Sequence, residues 1–527
     1  MTTTNISVTP QQSAESPVRL RVRSLAAVYR VLFQNDIARI IGVAALFLWL
    51  PLRNNIWVYV VETDWWWHLR TGEWIFQNHR VPRTDPFSIT GAGKPWVAYS
   101  WPFDMVLYQV AKHWDLLGVV AFTVGIWVAM VLAFLYLLRS FRPPFWVSLG
   151  LALIGGMSFQ IVMSPRPGGL TVIAFILVLE VLCTARRKLS VRRLWLIPVI
   201  MWLWASVHVQ FVYGLFLIGV FCLEPVFDCL LEFAGVMAPP GGSYLPARWM
   251  WGTLAASVIA TVLNPYGWGS YQVLYDFAKQ PLLAGFVTET LPMAFDQRLH
   301  FIVLLVCLAG VFALARQSSV RPVWVILMVW SALSSFRFQR DIWLVTVISS
   351  VLIVQAITNS RHEPVKVNQR VWLGAIPLIL LGLVLTFQRG PTNRDLSSLV
   401  AGRLPLGEVA YIHEHHLQGP LFNHYDWGGF LIYALPEMPV SIDGRTNVHG
   451  QEEVGRSLHT WSFLGDDLTD PLLRSANLII APRYKPLTFG LSQDRHFRAV
   501  FEDQTGILFQ RILAPDPLPA TKEASAQ

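Results

Sequence analysis

The chain has 527 residues and a formal net charge of +8, with 54% hydrophobic and only 14% charged residues and a mean hydropathy of +0.45. A soluble globular chain carries about 25% charged residues, so this composition excludes a soluble enzyme and points to a polytopic membrane protein. The basic residues are scattered in short loops between apolar runs. Orientation by the positive-inside rule produces that pattern, and no basic, aromatic-interleaved domain is present to hold a nucleic acid.

Residues 1–17 are polar, with Ser, Thr, Gln and Pro, and Arg19, Arg21, Arg23 and Arg30 follow. The segment 1–36 therefore reads as a disordered, basic, cytoplasmic N-terminus. The first apolar run, from about Ile37 to Leu52, has no small-residue cleavage site behind it and reads as a retained anchor. A first external loop, 53–116, follows. Its second half is rich in turn residues, and Pro102 to Trp114 has the pattern of an amphipathic surface helix. Further apolar runs lie near 117–138, 145–162, 169–184, 194–207, 211–231, 249–263, 300–315, 322–336, 341–358 and 371–387, the fifth and sixth divided at His208. That makes about eleven spans. Lys and Arg are denser in the loops that this count places inside, including Arg186-Arg187-Lys188, so the N-terminus is expected inside and the C-terminus outside.

From residue 388 onward no run reaches span length. Short apolar pieces at Pro420–Phe422, Pro439–Ile442, Asn477–Ala481, Phe497–Phe501 and Gly506–Phe509 predict a small α/β domain ending in a β-hairpin. The expected fold is thus an α-helical polytopic membrane domain over 37–387 with an extracytoplasmic α/β domain over 388–527. Cys183, Cys222, Cys229 and Cys307 all lie in apolar runs without metal-site spacing and read as packing residues.

The polar residues at the outer span ends gather on one face. They are Glu62, Asp64, His68 and Arg70, then Arg166 between two prolines, His208, Asn264-Pro265-Tyr266-Gly267, Glu289, and Arg337, Arg340 and Asp341. A carboxylate suits general-base work or metal binding. The planar guanidinium fork suits phosphate. Each residue also has a plain alternative. Asp64 is placed to cap the helix that starts at Trp65, and Glu62 to be a solvated loop residue. Trp65, Trp66 and Trp67 are placed to anchor at a membrane interface or to form a sugar platform. His68 shares a helix face with Asp64, His208 fits a satisfied turn position, and Arg337 or Arg340 is placed to pair with Asp341. Glu180 and Glu224 read as partners of inner-face cations. Downstream, Asn423-His424-Tyr425-Asp426-Trp427-Gly428-Gly429 precedes Ser441-Ile442-Asp443-Gly444-Arg445-Thr446-Asn447. The glycine pair allows close backbone approach, and Asp426 between two aromatic rings reads either as a holder of a polar acceptor group or as a helix-start cap.

Glu62-Thr63-Asp64 in the first external loop resembles the acidic motif of the GT-C glycosyltransferases, polytopic enzymes that use polyprenyl-linked sugars outside the membrane. Tyr425-Asp426-Trp427-Gly428-Gly429 is similar to the Trp-Trp-Asp-Tyr-Gly region of the oligosaccharyltransferase catalytic subunit. Val287-Thr288-Glu289 resembles that family's external-loop motif. This chain departs from it in reading Tyr-Asp-Trp and in having fewer spans. The likeness extends to bacterial polytopic membrane proteins carrying DWWWHLRTGEWI and DWGG…IDGR segments.

The resemblance implies that Asp64 polarises the acceptor and that Glu62 and Glu289 assist it or hold a divalent cation such as Mg or Mn. It also implies that Asp426 and Trp427 contact the acceptor; the residues themselves add Tyr425 and His208 as further acceptor contacts and Arg166, Arg337 or Arg340 to steady the donor phosphate. The expected function is transfer of a sugar or glycan from a polyprenyl-phosphate donor to an extracytoplasmic protein, lipid or glycan, in a bacterial inner membrane. The alternative is a non-catalytic scaffold or a transporter in envelope assembly.

Overall fold

A computed structural model describes residues 35–50, 52, 56–235, 244–280, 288–317, 320–359, 369–462 and 470–514. The basic segment before residue 35, Val287 and the final tail lie outside the described residues. The membrane region contains α1 (Asp36–Leu48), α2 (Trp65–Asn78), α3 (Trp101–Ser140), α4 (Phe145–Ser158), α5 (Gly168–Lys188), α6 (Leu196–Ala205) and α7 (Val212–Phe233). It continues with α8 (Ala247–Val262), α9 (Gly269–Ala278), α10 (Arg298–Ala315), α11 (Pro322–Arg337), α12 (Ile342–Asn359) and α13 (Gln369–Arg389).

Seven helices among the described residues are long and apolar enough to cross a membrane: α3, α4, α5, α7, α10, α12 and α13, some with short 3₁₀ extensions. The other four predicted spans, α1, α6, α8 and α11, are helices of only 13, 10, 16 and 16 residues. Ten helical residues rise about 15 Å, half of a hydrocarbon core. Pro265 stands just beyond α8 and cannot continue it. The predicted break at His208 is present, since α6 ends at Ala205 and a 3₁₀ turn, Val209–Phe211, opens the next helix. α5 and α12 are the most enclosed of the long helices, and α13 is the least, packing against α1 at the edge.

The predicted surface helix and the span after it are two arms of α3, broken where Asp115 takes φ 55° and ψ −152°. α2 lies between α3 and the C-terminal region, which corrects the expectation for its tryptophans. Trp65, Trp66 and Trp67 are all buried. Trp65 donates its indole N–H to the Val60 carbonyl at 3.1 Å, and Trp66 meets the rings of Phe430 and Tyr433. They are core residues, because a second layer of protein covers the face that was assigned to lipid.

The C-terminal region consists of α14 (Asn393–Ala401), α15 (Leu406–Glu414), β1 (Leu421–Asn423), α16 (Tyr425–Ala434), α17 (Thr446–Ser462), α18 (Pro471–Ser475), β2 (Leu478–Pro482), α19 (Pro486–Gln493), β3 (Phe497–Glu502) and β4 (Gly506–Arg511). Its sheet has the order β1-β2-β4-β3, with β1 and β2 parallel and β3 and β4 forming the antiparallel hairpin expected at the end. Phe422, Ile479, Phe509 and Trp461 pack on one another beside the sheet. The predicted strand Pro439–Ile442 is absent from it. Val440 pairs instead with the first loop, exchanging backbone hydrogen bonds with Phe87 and Ile89 at 3.1 and 2.8 Å.

That contact is locked by a buried ion network. Arg445 donates from Nε and Nη2 to the two oxygens of Asp443, at 2.8 and 2.7 Å, and from Nη1 to Asp85 at 2.7 Å. His449 approaches Asp443 at 2.9 Å through Nε2 and Thr90 at 2.7 Å through Nδ1. The guanidinium stacks 4.6 Å from the Trp96 ring centre. Burial alone would raise the Asp443 carboxyl, but Arg445 and His449 outweigh it and hold it well below the usual carboxylate range. Removing one partner strands a buried charge, at a cost of about 3–5 kcal/mol. Arg445→Met is therefore expected to lower the thermal midpoint of the purified protein sharply. Arg445→Lys, which lacks the planar fork, should recover only part of the loss.

Glu408 of α15 is fully buried, and neither carboxylate oxygen has a side-chain or backbone hydrogen-bond partner elsewhere among the described residues. Burial pushes its carboxyl from 4.5 up to about 7. The folded form holds a proton that the unfolded chain releases, so stability is greatest below about pH 4.5 and falls as pH rises towards 7. Glu408→Gln should remove that fall. Melting curves of both proteins from pH 5 to 8 should diverge with rising pH, the variant becoming the more stable.

Candidate active site

Glu62 and Asp64 occupy the turn between a 3₁₀ segment, Ile56–Val61, and α2. Glu62 caps the helix, its carboxylate accepting the Trp65 backbone N–H at 3.2 Å. Asp64 stands at the N-cap position yet makes no side-chain cap bond. Its carboxylate turns instead to Arg166, which donates to it at 2.9 Å. Arg166 lies in Ser164-Pro165-Arg166-Pro167, directly before α5. A cation at a helix N-terminus is disfavoured by the macrodipole. Three carboxylates compensate it here: Asp64, Glu62 at 3.7 Å, and Glu289 in a short contact. Glu289 comes from the 3₁₀ turn Thr288–Thr290.

Asp64 is pushed up to about 7, by burial first and then by Glu62, with Arg166 opposing and Glu289 and Asp443 adding to the rise. Its side chain remains 28% exposed, so an incoming group has access to a carboxylate that exchanges its proton near neutrality. For Arg166, burial alone would lower the pKa. The three carboxylates outweigh that and keep it charged.

The C-terminal region forms one wall of this site. A Cβ on Gly444 would lie 2.1 Å from the nearer Asp64 oxygen, and one on Gly429 would lie 2.6 Å from the Thr63 carbonyl. Both glycine-bearing motifs therefore press on the Glu62–Asp64 turn, where any side chain would clash. Tyr425 belongs to the same wall, its hydroxyl 3.5 Å from the Gly444 carbonyl. Burial, Asp64 and Asp443 together raise its phenol.

Other predicted residues are placed differently. Trp427 is buried and donates its indole N–H to the Arg403 carbonyl at 3.2 Å, so it faces the core. Asp426 lies in the first turn of α16 with 56% of its side chain exposed, 3.5 Å from His424, and the helix is capped by His424. Neither touches the acid cluster. His68 does not pair with Asp64; its Nδ1 meets Asp104 of α3 at 2.6 Å. His208 caps the 3₁₀ turn Val209–Phe211, with Nδ1 2.9 Å from the Thr171 hydroxyl. Burial, then Arg340 and Arg166, push its ring down to about 3, so it is neutral at ordinary pH. Asp341 is taken by Gln210 at 3.0 Å and Tyr213 at 2.7 Å, not by an arginine. Arg340 has a buried Nε without a hydrogen-bond partner. Arg337 reaches towards the Thr290 carbonyl beside Glu289, at 3.5 Å.

The acids do not fit a divalent cation as they stand. Mg and Mn need convergent oxygen lone pairs, and these carboxylates converge on a guanidinium. A metal would have to displace Arg166 or share its partners against like-charge repulsion. Among the described residues no group of three or more His, Cys, Asp or Glu is arranged to hold a metal.

The fold has counterparts among solved structures. The chain superposes on the Archaeoglobus fulgidus oligosaccharyltransferase tethered to an acceptor peptide containing an NVT sequon, with a TM-score of 0.52 and 12% identity over 86% of this chain and 70% of that one. The apo form of the same enzyme gives 0.50 and 12% over 85% and 69%. At such identity the likeness is one of fold alone. No family model matches the sequence, and no curated protein does.

Gly444→Ala places a methyl group on the Asp64 carboxylate and should destabilise by about 1–3 kcal/mol. Gly455→Ala, a helical position with open space around it, should be neutral or stabilising by up to about 1 kcal/mol. Thermal midpoints of the two variants measure the cost of crowding the close approach at Gly444.

Proposed function

We propose that this protein is a membrane transferase that moves a sugar or glycan from a polyprenyl-phosphate-linked donor to an extracytoplasmic acceptor. The observation that carries this reading is the accessible Asp64 carboxylate, poised near pH 7 and held by an arginine that also gathers Glu62 and Glu289. The shared fold with an oligosaccharyltransferase supports it. A scaffold would have no need of acids drawn from such distant parts of the chain to one exposed point.

In this mechanism the acceptor's hydroxyl or amide gives its proton to Asp64. Its oxygen or nitrogen attacks the anomeric carbon from the face opposite the phosphate. The carbon–oxygen bond to phosphate breaks, the bonding electrons leave with the polyprenyl phosphate, and the configuration inverts. Arg166 is a positioning residue, since its donors are committed to carboxylates. Arg340 and Arg337 are the cations left to meet the leaving phosphate. Tyr425 and the Gly444 backbone line the acceptor side. The topology that accompanies this proposal has residues 1–36 inside, about eleven crossings over 37–387, and residues 388–527 outside a bacterial inner membrane.

A base with a pKa near 7 must be ionised to work, so transfer should fall as pH drops through about 7. Asp64→Asn should lose transfer by about 10²–10⁴-fold while its melting temperature stays close to wild type. Complementation of a deletion strain, read out as loss of an accumulated lipid-linked glycan, measures this. Full restoration by Asp64→Asn removes the proposal.

A further inference from the structure

The opposite end of the bundle carries a second polar constellation. α5 starts two residues after Arg166 and ends, 21 residues long, in Arg186-Arg187-Lys188. At 1.5 Å per residue that is about 30 Å, one hydrocarbon thickness. A cavity of about 600 Å³ opens there, lined by Arg142 from the α3–α4 turn, Arg186 and Arg187 of α5, Gln317 and Arg321 between α10 and α11, and Gln355 of α12.

Among the described residues its four guanidiniums outnumber the acids near them, Glu180, Glu224 and Asp228, the last of which accepts the Tyr244 hydroxyl. Glu224 of α7 serves both Arg186, in a short contact, and Arg321 at 3.6 Å. Glu180 accepts the Thr184 hydroxyl at 2.6 Å. Arg187 is bonded to the neutral Ser140 and Thr184 hydroxyls, at 2.8 and 3.1 Å, and lies 3.7 Å from the centre of the Phe141 ring. Arg142 is exposed and makes no ion pair or side-chain hydrogen bond with the described residues. The Gln317 amide nitrogen is buried without a hydrogen-bond partner among the described residues, and Arg321 Nη1 reaches only Glu224. Orientation by positive loops requires only that cations lie on this side. It does not require four guanidiniums and a vacant amide around one cavity.

We infer that this cavity binds a phosphate group, carried by an anionic lipid headgroup or by a soluble phosphate. Guanidinium forks from separate elements match phosphate oxygens, and the cavity lies at the depth where headgroups sit. The inference does not rest on the transferase proposal.

Native mass spectrometry of the full chain in mixed micelles tests it, with phosphatidylglycerol and phosphatidylcholine as probes. Wild type should retain phosphatidylglycerol preferentially, and Arg142→Gln should lower that retention about fivefold, the effect of one cation near the surface. Arg142 is exposed and has no side-chain partner among the described residues, so this variant should keep its fold. Arg142→Gln/Arg187→Gln should abolish the preference. Arg193→Gln is the control. Arg193 lies at the same level, is bonded to Tyr136 and does not line the cavity, so its loss should leave retention unchanged. If millimolar inorganic phosphate displaces the lipid, the ligand is a free phosphate; if it does not, the ligand is a headgroup. Equal retention of both lipids by wild type together with no bound inorganic phosphate in the same spectra, or an equal loss in the Arg193 variant, overturns the inference.

Discussion

The fully buried Arg445 guanidinium joins two parts of the chain that are 360 residues apart, by donating to Asp443 beside it and to Asp85 in the first loop. A desolvated cation of this kind is tolerable only when every donor finds a carboxylate in good geometry. Two acids and the Trp96 ring supply that here. The clamp fixes the C-terminal region against the membrane region, and the residue next to it in sequence, Gly444, is thereby set on the Asp64 carboxylate. The candidate site exists because this contact is made.

A second guanidinium organises the site itself. Arg166 stands where a helix dipole repels it and is held by three acids that would repel one another without it. The same balance sets the chemistry. Burial and neighbouring acids lift Asp64 towards neutrality while Arg166 keeps the lift moderate. Charge compensation inside the chain thus gathers the three acids at one point.

α5 connects the two polar ends of the molecule. One end delivers Arg166 to a crowded acidic turn, and the other delivers Arg186 and Arg187 to a cavity where, among the described residues, guanidiniums outnumber the acids near them.

Composition and hydropathy by themselves determined the membrane class, the position of the long helices, the break at His208 and the terminal β-hairpin, because these follow from local period and turn chemistry. The acidic turn, Arg166 and Glu289 were legible as candidates, since charges at span ends are costly. What the sequence could not supply was partnership. Trp65 to Trp67 look identical as interface anchors and as core residues until a covering layer is placed on them. Trp427 looks like an acceptor contact until its N–H is found on Arg403. Asp85 carries no signal at all, because its role comes from a contact across 360 residues. The DWGG and IDGR glycines were visible, but only the tertiary structure showed that they mark the close approach to Thr63 and Asp64. Local sequence fixes what each segment prefers to be, while long-range packing decides which charges meet.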